Sequence, residues 1–187
     1  ACAARTGQLL NFTDIARDTD VSVPTAKKWL SILQVSFQVY LLEPYYSNIT
    51  KRIVKTPKLY FLDTGLCSYL TEWASPETLE AGAMAGAVFE TYVFTEILKS
   101  YWFRGLQPAI YYYRDRDKKE VDFILEQNQI LYPVDVKKAA TPRKDWIQSF
   151  SALQNLKREI GPGAVICLAE RSLPIDANNT ALPVTVL

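Results

Sequence analysis

Glu120-Val121-Asp122-Phe123-Ile124-Leu125, then Gln127-Asn128-Gln129, then Ile130 to Lys137, closing on Val134-Asp135-Val136-Lys137, is the stretch on which the fold turns. Two apolar runs flank a short polar break, the pattern of two strands joined by a turn. Side chains alternate between faces along a strand, so Asp135 and Lys137 share one face while Val134 and Val136 take the other. Asp122 interrupts a strand otherwise made of Val121, Phe123, Ile124 and Leu125. Pairing the two strands in a meander brings it near Asp135 and Lys137.

Upstream, Ala109 to Arg114 is aromatic and β-prone, and Asp115-Arg116-Asp117-Lys118-Lys119 turns the chain into the Glu120 strand. Before it, Leu79 to Trp102 predicts one long helix, with Phe89, Val93, Phe94, Ile97, Leu98 and Tyr101 forming a wide apolar stripe. Glu90 falls on the edge of that stripe. A carboxylate bordering a core face is costly unless it is paired, hydrogen-bonded or bound to metal. Downstream, Trp146, Ile147, Phe150, Leu153 and Leu156 predict a helix over 143–159, which Gly161-Pro162-Gly163 ends. Ala164 to Ala169 reads as a buried strand, and Leu182 to Leu187 as another. The order is αβββαβ, and the fold class is α/β (α+β).

Composition narrows the chemistry. The 187 residues are 49% hydrophobic and 22% charged, a balance that excludes disordered and low-complexity classes. Three widely separated cysteines, Cys2, Cys67 and Cys167, signal neither a disulfide framework nor a thiolate zinc site and fit a reducing cytoplasmic setting. There is no histidine, which removes Ser-His-Asp and Cys-His mechanisms and histidine-ligated metals. Chemistry here must rest on carboxylates, lysines, tyrosines or a hard cation held by oxygen. No apolar run reaches about 18 residues, so no membrane span or membrane partner is expected.

The net charge of +1 conceals a split: residues 1–58 hold 8 basic against 4 acidic side chains, and residues 59–187 hold 13 against 16. In the basic part, Asn11-Phe12-Thr13-Asp14 caps a short helix that runs to Asp18. Val21-Ser22-Val23-Pro24-Thr25 leads into a second, whose stripe is Ala26, Trp29, Leu30 and Leu33. Strands over 37–41 and 52–61 follow, the latter interrupted by Pro57. Helix, helix, then β-hairpin is the order of a winged helix-turn-helix. In that fold the second helix, here with Thr25, Lys27 and Lys28, can enter a major groove, while Lys51, Arg52 and Lys55 on the wing touch phosphates. The expected layout is a winged helix over 1–63, a connection over 64–78 and a second domain over 79–187.

Glu90 on the first helix of that second domain, Asp122 on its second strand and Asp135-Val136-Lys137 on its third together resemble the PD-(D/E)XK nuclease superfamily, which has a restriction-endonuclease-like fold. The resemblance implies Mg²⁺ or Mn²⁺ held by Asp122, Asp135 and the Val136 carbonyl. It also implies that Lys137 orients or deprotonates the attacking water and that Glu90 completes the site. Such chemistry needs no histidine. The second acid is Asp135 where Glu is commoner.

Ala4-Arg5-Thr6-Gly7-Gln8-Leu9-Leu10-Asn11, Pro57-Lys58-Leu59-Tyr60-Phe61-Leu62-Asp63-Thr64-Gly65-Leu66, Val88-Phe89-Glu90, Glu120-Val121-Asp122-Phe123 and Val134-Asp135-Val136-Lys137 extend a resemblance over nearly the whole chain. It is similar to the C-terminal region of bacterial and archaeal predicted AAA+-type ATPases. That implies ATP bound only by an upstream domain, with the missing phosphate loop lying before Ala1, and oligomers formed through the ATPase. The expected function is a nucleic-acid-associated module, DNA first, with a metal-dependent phosphodiester-cleaving site. The alternative is a non-catalytic domain that binds nucleic acid or protein and regulates the ATPase on a degenerate nuclease fold.

Overall fold

A computed structural model describes residues 1–45 and 55–187 and shows an α+β protein that divides into two compact units. The first comprises residues 1–42 and 56–95, the second 43–55 and 96–187.

In the first unit, β1 (Gln8–Leu9), β3 (Lys58–Phe61) and β2 (Val39–Leu42) form an antiparallel sheet in the order β1-β3-β2. Helices α1 (Phe12–Asp18) and α2 (Val23–Val35) precede β2. Asn11 caps α1 by accepting from the Thr13 and Asp14 amides, and Ser22 caps α2 by accepting from the Thr25 amide, with Pro24 in the first turn. The core gathers Ala3, Leu30, Val39, Leu59, Phe61 and Cys67, with Ile15, Ala16 and Ala26 in a second cluster. Trp29 does not join them. The buried face of α2 is centred on Ala26 and Leu30, which leaves Trp29 on its flank, 51% exposed. Lys51 and Arg52 of the expected wing lie outside the described residues.

The stretch 64–78, expected as a connection, is largely helical and belongs to the first unit. It holds α3 (Thr64–Leu70), capped by Asp63, and the start of α4 (Pro76–Ala81), capped by a Ser75/Thr78 box. The long helix expected over 79–102 is two helices, because the chain breaks after Ala81 before α5 (Ala85–Phe103) begins. Gly82 is extended there and packs so closely on Trp73 that a Cβ would lie 2.3 Å from its ring.

The second unit is built on a seven-stranded mixed sheet. Its order is β4 (Ile110–Arg114), β5 (Glu120–Gln127), β6 (Ile130–Lys137), β8 (Gly163–Cys167), β10 (Asn179–Pro183) and β9 (Leu173–Pro174), with β7 (Glu159–Ile160) also on β6. The β4-β5-β6 meander is antiparallel, and β6, β8 and β10 run parallel. The last strand therefore starts and ends earlier than 182–187, and a short 3₁₀ turn (Val184–Val186) follows it.

The helix expected over 143–159 is a 3₁₀ helix over Lys144–Leu156. The reason is in its spacing. Ile147, Phe150, Leu153 and Leu156 recur at every third residue, which makes a straight row at three residues per turn and a drifting one at 3.6. Phe150, Leu153 and Leu156 are buried against Val121, Ile124, Leu131, Val165 and Cys167 of the sheet. No helix among the described residues is long and apolar enough to cross a membrane.

Candidate functional site

The antiparallel register of β5 and β6 pairs Phe123 with Val134, and one step further along each strand sets Asp122 opposite Asp135. Two like charges facing each other across strands destabilise the pair unless donors offset them. Here the donors come from the strands themselves. The Asp122 amide donates to Asp135 Oδ1 at 3.0 Å, and the Val136 amide donates to Asp122 Oδ2 at 2.8 Å. Each acid thus holds the opposite strand's backbone, which fixes both carboxylates in place.

Asp135 is the more enclosed, at 3% exposure. Its Oδ2 accepts from Ser149 Oγ at 3.1 Å and lies 3.8 Å from Lys137 Nζ. The Lys137 side chain is 36% exposed, so its ammonium reaches solvent. Asp122, Asp135 and Lys137 therefore come together, as the alternation along the strands predicts. Ser149 was not anticipated. Read at three residues per turn, it is the polar member of a row with Trp146 and Ala152, a signal that an α-helical reading hides.

Glu90 sits in the first unit, on α5. Its Oε1 accepts from Tyr60 Oη at 2.5 Å and from Lys58 Nζ at 3.2 Å. Lys58 is buried, and Phe94, one helical turn beyond Glu90, stacks on Tyr60 with ring centroids 4.3 Å apart. Lys58 and Tyr60 were not read as site residues. Their signal is the period of two along β3, which puts both polar tips on one face. Thr25, Lys27 and Lys28 lie on the first two turns of α2, and Lys55 is described in the second unit.

Among the described residues no three or more acids or thiols converge on one point suited to a metal ion. Two carboxylates suffice for Mg²⁺, which keeps several waters and takes one or two protein acids. Asp122 and Asp135 are donors of the right type, hard oxygens held rigidly on neighbouring strands, so the residues present fit a hard divalent cation.

Comparison with known proteins gives two sequence families. The domain of unknown function DUF4143 matches residues 85–187, and the domain of unknown function DUF8612 matches residues 1–77. Uncharacterised proteins of Mycobacterium bovis and Mycobacterium tuberculosis are each 30% identical over 178 residues, 95% of this chain. The chain spans 38% of their length. No solved structure matches.

Proposed function

The chain belongs to the DUF4143 family, a domain found in the C-terminal region of AAA-ATPase-like proteins, and on that basis we propose that it is the nucleic-acid-associated end of such an ATPase, with a PD-(D/E)XK-type phosphodiester-cleaving site. The observation that carries this reading is the Asp122–Asp135 pair facing across β5 and β6 with Lys137 beside it.

In this reading Asp122, Asp135 and the Val136 carbonyl would hold Mg²⁺ or Mn²⁺, which would supply charge neutralisation and lower the pKa of a water bound to it. Lys137 approaches the scissile phosphate from the solvent side. It orients the water that attacks phosphorus: the new P–O bond forms as that water gives its proton to solvent, and the P–O bond to the leaving sugar oxygen breaks as that oxygen takes a proton from solvent, so one proton is released for each one taken up. Ser149 holds Asp135 in register. Helices α1 and α2 followed by β2 and β3 support a winged helix. Thr25, Lys27 and Lys28, with Lys51, Arg52 and Lys55 of the wing region, would meet DNA phosphates. ATP would be bound by a domain upstream, and the setting is cytoplasmic.

The test is cleavage of linear and circular DNA and of RNA under Mg²⁺ and under Mn²⁺. The expected result is cutting that EDTA stops and that Asp122→Asn and Lys137→Ala abolish. Absence of cleavage under both metals, or full activity in Asp122→Asn, overturns the enzymatic reading.

One observation favours a second reading for α2. Its outward face exposes Ile32 and Val35 at 56% and 80%, next to Lys28. That surface suits a protein partner better than base edges, in keeping with a non-catalytic regulatory domain. On this reading Ile32→Ser and Val35→Ser disturb association with the ATPase or a partner and leave DNA binding unchanged.

A further inference from the structure

We infer that α2 and α3 of the first unit form a self-pairing face, on which a second copy of this chain docks about a two-fold axis. This rests on the protein-partner reading of α2, and it names that partner. The face is a ridge beside a groove. Ile32 and Val35, one turn apart, stand out from α2. On the adjoining side of the same helix, Trp29, Leu30 and Leu33 line a mostly apolar groove of about 400 Å³ together with Leu66 and Leu70 of α3.

The size of this face is what calls for a partner. Trp29, Ile32, Val35, Leu66, Tyr69 and Leu70 are between 37% and 80% exposed. They adjoin one another, since Trp29 lies one turn before Ile32, and Leu70 lines both the groove and the hollow that Tyr69 borders. At about 200 Å² for a whole aromatic side chain and about 100 Å² for an aliphatic one, the six present about 500 Å² of apolar surface per chain. Single exposed hydrophobes need no partner, but a contiguous patch of this size marks an interaction site. Covered by its own copy, the face buries about 1,000 Å² from these six residues alone, the level that a specific interface must reach.

A second copy fits because ridge and groove lie side by side on one helix. In a two-fold pair each ridge enters the other chain's groove, and the assembly closes at two. Charge sets the direction. Neither α2 nor α3 holds an acid, and α2 carries Lys27 and Lys28 near its start. Lys27 lies over the Phe12 ring at 5.4 Å, and Lys28 is exposed one turn before Ile32. Parallel helices would bring the two Lys28 ammoniums together. Antiparallel helices set each one against the last turn of the other α2, whose terminal carbonyls are partially negative.

Sedimentation equilibrium of the 187-residue chain over about 1 to 200 μM brackets the Kd expected of a face this small, on the order of 10 μM. The apparent mass should rise from 21.2 kDa to twice that. Ile32→Ser/Val35→Ser on the ridge and Leu66→Ser/Leu70→Ser in the groove should each weaken association by about 30-fold or more. Phe103→Ser, at an exposed apolar residue of the second unit, should leave it unchanged. A mixture of the ridge variant and the groove variant should associate more tightly than either alone, because one intact ridge then meets one intact groove. A variant that had merely unfolded could not be rescued in this way. A wild type that stays monomeric, ridge or groove variants that pair like wild type, a matching loss in Phe103→Ser, or a mixture no tighter than its parts overturns self-pairing. Fluorescence anisotropy with labelled duplex DNA separates this from the reading beneath it. If the wild type is monomeric and the ridge variant binds DNA as the wild type does, self-pairing alone fails. If the wild type is monomeric and the ridge variant loses its DNA binding, α2 meets DNA and both fail.

Discussion

Replacing Glu90 tests whether the first unit depends on a buried charge pair. The Lys58 side chain is 3% exposed and that of Glu90 19%, so the two partners are not equivalent. Glu90→Leu takes an ion-pair partner from an ammonium with almost no access to water, and the Tyr60 hydroxyl loses its bond to that carboxylate. Breaking a buried pair from the side that leaves the deeper charge costs about 3–5 kcal/mol. Lys58→Met leaves a carboxylate that still accepts from Tyr60 and meets solvent, for which a cost of about 1–2 kcal/mol is expected. Lys58→Met/Glu90→Leu removes both charges, so the double-mutant cycle should show a coupling of about 1.5 kcal/mol or more. Urea unfolding followed by circular dichroism reads all four proteins, and for a chain of this size about 3 kcal/mol also lowers the melting temperature by about 6–12 °C. Equal costs for the two single variants, or strict additivity in the double, would refute the assignment of Lys58 as the more deeply buried charge of a coupled pair.

Two further outcomes follow from packing and burial. Gly163 has no room for a side chain, since a Cβ there would lie 2.3 Å from Asn179 Oδ1 and 2.6 Å from the Phe150 ring. Gly163→Ala should cost about 1–3 kcal/mol through overpacking at the seam between β8, β10 and the 3₁₀ helix, and thermal denaturation within 0.5 kcal/mol of wild type (about 1 °C) would contradict it. Burial pushes the Cys67 thiol up to about 11 from 9.0. The folded state therefore holds a proton that the unfolded chain releases. That stability is fully present below about pH 9 and is lost as pH rises toward 11. Tyr45, Tyr101 and Tyr113, likewise raised by burial, add to the loss at the upper end. Cys67→Ala should flatten the stability profile between pH 9 and 10, as measured by urea midpoints, and an unchanged profile would count against a buried neutral thiol.

In the second unit β5 and β6 are legible because they are long apolar runs set off by a polar turn, and they fall at Glu120–Gln127 and Ile130–Lys137, whereas the two-residue strands β7 and β9 are too short to show a period and β10 lies earlier than 182–187. A period of two brings Asp122, Asp135 and Lys137 together without further information. The 3₁₀ helix is not legible to a reader who looks for 3.6. Trp146 beside the row at 147, 150, 153 and 156 mimics an α-helical stripe, and only the sheet's demand for a narrow row of side chains selects the tighter turn. Trp29 shows the opposite limit. Helical spacing places it near the apolar face, but the width of the face that is covered depends on what packs there: α1 covers Ala26 through Ile15 and Ala16, and β2 and β3 cover Leu30 through Val39, Leu59 and Phe61. For Glu90 the sequence leaves three ways to offset its burial, and its cation comes from a strand 32 residues away. No local pattern selects among them.

The hydrogen bonds at the carboxylate pair decide how its chemistry can be tested. Asp122 and Asp135 are part of the strand pairing itself, since each accepts a backbone amide from the opposite strand. Alanine at either position strips an acceptor from a partly buried N–H, a loss of about 1–3 kcal/mol that has nothing to do with catalysis. An inactive Asp122→Ala protein would thus be equally consistent with a cut site and with a frayed β5–β6 end. Asparagine keeps an acceptor oxygen and removes the charge, so it separates the two effects. If Asp122→Asn unfolds at the wild-type urea midpoint and binds nucleic acid, loss of cleavage reports the carboxylate's chemistry. If it unfolds early, the pair's first duty is to hold the strands, and the regulatory reading gains.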